Sequence, residues 1–97
     1  MFRKESYMVK IKTVKGYEVM CAAARCCTLC SLFHRDGSHK REVVKFVYDP
    51  DEDTISFITI DPNMSYYVMY DRRSHEHKIV DSSDARKHVV VATVVEV

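Results

Sequence analysis

Apolar and polar positions alternate with a period of two near the amino terminus. In YMVKIKT, Tyr7 to Thr13, the residues Tyr7, Val9 and Ile11 fall on one side and Lys10 and Lys12, beside Met8, on the other. That is the pattern of a half-buried strand. After the turn signal Lys15-Gly16 the texture changes. The run YEVMCAAARCCTLCSLFH, Tyr17 to His34, has three consecutive alanines and neither glycine nor proline, and it stops at Arg35-Asp36-Gly37; it predicts one long helix. From Arg41 onward β-branched and aromatic runs return as EVVKFVY, TISFITI, SYYVMY, KIV and HVVVATVVEV. Between them lie DPDED, DPNM, RRSHEH and DSSDARK, rich in turn formers or charge. The predicted order is β-α-β-β-β-β-β in a single domain over 1–97. This is an α+β fold, with one long helix on a mostly antiparallel sheet of about five to six strands, either open or curled toward a barrel.

The strand runs are apolar on both faces. In EVVKFVY, Val43 and Val47 face one way and Val44, Phe46 and Tyr48 the other, and TISFITI and SYYVMY read similarly. A helix of about 18 residues spans about 27 Å and covers one face of a small sheet. The other face requires barrel closure or a second chain. In HVVVATVVEV, Val89, Val91 and Val95 project one way and Val90 and Val94 the other, without the lysines or prolines of a protected edge. The expectation is a homodimer whose twofold interface contains Val89, Val91, Val94 and Val95.

Length strengthens that expectation, because 97 residues form one domain with a thin core that a partner subunit would support. A hydrophobic share of 46% with 30% charged residues fits a folded domain and excludes a disordered tail. The formal net charge of +1 provides no bulk attraction to nucleic acid or anionic membrane, so any such binding must be local. No apolar run has the length of a signal peptide or a membrane span, so the expected compartment is the cytoplasm. The size and style are also those of small phage or viral accessory proteins, for which the compartment is the host cytoplasm.

All four cysteines lie in CAAARCCTLC, Cys21 to Cys30. They would close almost no loop as disulfides and read as reduced. On a helix, Val19, Met20, Ala23, Cys26, Cys27, Cys30 and His34 share one side, which makes the thiols core residues, with Cys21 toward the polar side as the first to react. No cofactor is expected. The alternative is zinc: Cys27, Cys30, His34 and His39 have the ligand types of a tetrahedral site, and a variant draws on His75 or His77 beside Cys30 and His34. Cys27-Thr28-Leu29-Cys30 is also a C-x-x-C, but one about three helical turns in, where the dipole that activates a redox thiol is absent.

Two loops are basic, 35–41 and 72–78. Arg72 and Arg73 lie close in sequence to Tyr66, Tyr67 and Tyr70, the residue types that pair phosphate and stack bases of single-stranded nucleic acid. In an up-and-down meander each basic loop acquires acidic neighbours, which cancels the field phosphate needs. No glycine-rich phosphate loop, nucleophile motif or catalytic carboxylate pair stands out, so an enzyme is not expected. The functional expectation is a non-enzymatic protein–protein interaction or regulatory module acting as a homodimer. A nucleic-acid-binding protein and a zinc-binding module are the alternatives.

Overall fold

The segment 17–34 is a hairpin, not a helix. The computed structural model describes residues 9–96, and among them the chain is all-β. Its strands are β1 (Val9–Thr13), β2 (Tyr17–Ala23), β3 (Thr28–Asp36), β4 (His39–Asp49), β5 (Thr54–Thr59), β6 (Tyr66–Asp71), β7 (Glu76–Asp84) and β8 (Lys87–Glu96). The α+β class and the predicted helix are therefore wrong. Of the first predicted strand, Tyr7 and Met8 lie outside the described residues, and the remainder is β1.

Long-range pairing overrides local propensity in the hairpin. Tyr17, Val19, Cys21 and Ala23 on β2 oppose His34, Leu32, Cys30 and Thr28 on β3. Along β3, Thr28, Cys30 and Leu32 are buried while Leu29 is exposed, the period of a strand. The alanines that suggest a helix close β2 and open its turn, where the Ala24 amide donates to the Cys27 carbonyl at 2.8 Å. That turn contains neither glycine nor proline, so nothing in its composition marks it.

The strands form two four-stranded antiparallel sheets, β2-β3-β4-β5 and β1-β8-β7-β6. Their inner faces share one core: Leu32, Val43, Val44, Phe46 and Tyr48 from the first meet Ile79, Val91, Ala92 and Val94 from the second. Val43 and Val44 are both fully buried because the β3–β4 register shifts between Leu32 and Phe33, which leaves Val43 as an extra residue on β4. The chain crosses between sheets at Val14–Gly16, where Gly16 takes φ 93°, a conformation that favours glycine. The Val14 amide there donates to the Val91 carbonyl at 3.1 Å, which ties that seam. The second crossing, 60–65, joins β5 to β6.

The carboxy-terminal run is an inner strand. β8 is hydrogen-bonded to β1 on one side and β7 on the other. Val91 and Val94 lie in the chain's own core, Val95 is half-buried, and Val89 is 37% exposed. The bare edge that motivated an interface through these valines is already paired within one chain. No helix among the described residues is long and apolar enough to cross a membrane.

Candidate functional site

The up-and-down path places the turns 37–38 and 85–86 and the crossing 60–65 at one end of the sandwich, and the turns 24–27, 50–53 and 72–75 at the other. Each end holds a polar network. At the first, the Tyr17 hydroxyl lies 3.1 Å from that of Tyr66 and 3.4 Å from Asp81 Oδ2. A carboxylate only accepts, so the Tyr17 proton goes to Asp81 and Tyr66 donates to Tyr17. Burial pushes both phenols above their ordinary range. His34 packs edge-on against the Tyr17 ring, and Arg41 pairs with Asp61 at 3.3 Å.

At the second end, Asp53 Oδ1 accepts from the Tyr48 hydroxyl at 2.8 Å and from His77 Nε2 at 2.9 Å. The His77 hydrogen bond, followed by that of Tyr48, holds the Asp53 carboxyl below its usual range. Tyr70 lies against the His77 ring and reaches His75 Nδ1 at 3.2 Å. Asp53 and His75 are the non-glycine residues with positive φ among those described. A histidine–carboxylate pair resembles part of a hydrolase, but among the described residues no serine, threonine or cysteine is hydrogen-bonded to this one. Among the described residues no buried side-chain nitrogen or oxygen lacks a partner. Both networks bind turns and sheets together.

The outer face of the β2–β5 sheet is different. Three consecutive residues on each strand frame a groove of about 630 Å³: Met20 to Ala22, Leu29 to Ser31, Lys45 to Val47 and Ser56 to Ile58. The middle row, Cys21–Cys30–Phe46–Phe57, turns its side chains inward and leaves its backbone as floor. The outward rows are Met20–Ser31–Lys45–Ile58 and Ala22–Leu29–Val47–Ser56. Met20 and Ile58 are each 61% exposed and Leu29 46%. Lys45 is the charged residue of the lining, with Ser31 and Ser56 as hydroxyls.

The cysteines divide into two pairs. Cys21 and Cys30 are directly opposed, joined by a disulfide with their Cα atoms 4.2 Å apart. This corrects the expectation that all four are reduced. Cys26 and Cys27 are free in the β2–β3 turn, Cys26 exposed and Cys27 half-buried. Burial, then the neighbouring Cys26, pushes the Cys27 thiol up. Cys26, not Cys21, is the thiol placed to react first.

The zinc alternative is dispersed. Cys30 is bonded to Cys21, and His34 lies four residues further along β3, about 13 Å away at strand rise. Cys27 is in the turn at the second end, while His39 begins β4 at the first. His75 and His77 face Tyr70 and Asp53. Among the described residues no three histidine, cysteine or acidic side chains gather as a metal site. The nucleic-acid cluster is likewise spread. Tyr66 is buried at the first end, Tyr67 reaches His88 at 3.1 Å, and Tyr70 is beside the turn that carries Arg72 and Arg73. The groove residues Met20, Ala22 and Leu29 escaped sequence reasoning because a helix hides their common face. Val47 and Ile58 were signalled by the two-faced strand pattern. No protein-family model, curated protein or solved structure matches the chain.

Proposed function

We propose that this chain is a non-enzymatic interaction module that binds another protein on the outer face of the β2–β5 sheet. The observation that carries the reading is the groove itself, where Met20, Ala22, Leu29, Val47 and Ile58 face water and, among the described residues, no element lies over them. Soluble domains rarely leave a contiguous apolar patch uncovered. The volume, within the range of about 300–1,000 Å³ of binding clefts, suits an extended segment laying a few apolar side chains into it. Lys45 sets the polarity, because it would pair with an acidic group on the same segment. The cytoplasm expected from the sequence is reducing and would open Cys21–Cys30, whereas an oxidising compartment would keep it closed.

Selection from a randomised peptide library tests this reading. Binders should share alternating apolar residues with an acidic one. Leu29→Asp or Ile58→Asp should abolish their binding, Lys45→Glu should weaken it, and Lys12→Asp on the opposite sheet should leave it unchanged. Binders indifferent to Leu29 and Ile58 would overturn it.

A further inference from the structure

We propose that two copies of this chain pair antiparallel through the free edge of β5, joining their β2–β5 sheets into one continuous sheet. This dimer does not depend on what occupies the groove. Among the described residues four strands are sheet edges, and three carry charge. β1 has Lys10 and Lys12, β2 has Glu18 held by Arg35 and Lys40, and β6 ends in Asp71, paired with Lys78. Such charges protect an edge from pairing with another chain. β5, TISFIT, has neither charge nor proline.

The phase of its backbone follows from one bond. The Ile60 amide donates to the Val43 carbonyl at 2.8 Å, and the β4–β5 register runs unbroken from that pair to Asp49↔Thr54. Alternation therefore directs the amides and carbonyls of Thr54, Ser56 and Ile58 toward β4, and those of Ile55, Phe57 and Thr59 toward the free edge. A twofold axis through Phe57 sets Phe57 against Phe57 and Ile55 of one copy against Thr59 of the other, with about six backbone hydrogen bonds exchanged. Opposed residues share a face, so Ser56 meets Ile58 on the outside and the two phenylalanines meet on the inside. Phe57 is 38% exposed in the single chain, and Met69 and Tyr70 are exposed on β6, the edge of the second sheet on the same side. Because the groove ends on β5 at Ser56, Phe57 and Ile58, the same axis joins the two grooves into one trough across both copies. The interface thus falls on β5, where the edge is bare, and not on β8, where it is covered.

Sedimentation equilibrium of the full chain at high micromolar concentration should show a dimer. Phe57→Lys and Phe57→Asp should each be monomeric, since like charges then meet across the axis. Mixed in equal amounts they should regain a dimer containing one copy of each. A monomeric parent chain, or a dimer that persists in either variant alone, would overturn the proposal. Hydrogen exchange on the unmodified chain provides a test that needs no variant. On raising the concentration, the amides of Ile55, Phe57 and Thr59 should slow while those of Thr54, Ser56 and Ile58, already bonded to β4, should not. Unchanged exchange at the first three would also overturn it.

Discussion

The two sheets share a core but present opposite characters to water. On the β1-β8-β7-β6 sheet the outward rows read Lys12–Thr93–Lys78–Met69 and Lys10–Val95, with Glu76–Asp71 beyond, and Lys78 is paired with Asp71 at 3.0 Å. On the β2–β5 sheet the corresponding rows are largely methionine, alanine, leucine, valine and isoleucine. An antiparallel sheet with one face in solvent is expected to alternate apolar-in and polar-out. The first sheet does so along those rows, although its remaining outward row, Tyr67–Val80–Val90, is apolar, with Val80 buried. The second departs from that rule at Met20 and Ala22 on β2, Leu29 on β3, Val47 on β4 and Ile58 on β5, apolar side chains on its outward face.

The largest effect should come where the sheets are alike. Leu32→Ala, deep in the common core, should cost about 2–5 kcal/mol in denaturant unfolding, because the lost contacts leave a cavity. Next comes the β2–β3 hairpin: reducing Cys21–Cys30, or replacing both with alanine, should lower stability by about 2–3 kcal/mol, the entropy of a loop of that size.

The end networks give smaller effects of opposite pH sign. Tyr66→Phe removes the hydrogen bond to Tyr17 and should cost about 1 kcal/mol. Folding raises both phenols above 10.0, so their contribution is full below that pH and is lost as pH rises through the folded values. Alkaline unfolding should therefore begin above pH 10, and Tyr66→Phe should shift it. Asp53 is depressed below 3.8, so its contribution is full above that pH and is lost as pH falls through the folded value. Asp53→Asn should flatten the acid limb slightly, the carboxylate being half exposed.

The smallest effect on stability, and the most informative, should be on the groove. Leu29→Lys and Ile58→Lys should change the unfolding free energy by no more than about 0.5 kcal/mol, since both side chains already face water. A large loss would mean that these residues serve the fold and not a contact.

The same contrast explains what the sequence disclosed. Strands β4 to β8 were legible because β-branched and aromatic runs are punctuated by DPDED, DPNM and RRSHEH, and local chemistry agrees with the global pairing there. The β2–β3 hairpin was not, because Ala22, Ala23 and Ala24 favour a helix locally, while the pairs that decide the matter, Val19 with Leu32 and Cys21 with Cys30, connect distant residues. That one error displaced the site. On a helix Leu29 and Ala22 share the polar side with Glu18 and Arg25, away from Met20, whereas on strands Leu29 stands between Ala22 and Val47 on the outer face that Met20 also shares. The need for cover was legible in EVVKFVY and TISFITI, but the helix that was to supply it does not exist, and its residues form half of the uncovered sheet.

The central claim is that the outer face of the β2–β5 sheet is a contact surface. Methyl resonances recorded while a library-selected peptide is titrated into the chain test it most directly. Met20, Leu29, Val47 and Ile58 should shift together and saturably, while Thr93 and Met69 on the outer face of the other sheet stay in place. Shifts confined to Thr93 and Met69, with the groove methyls unmoved, would contradict it.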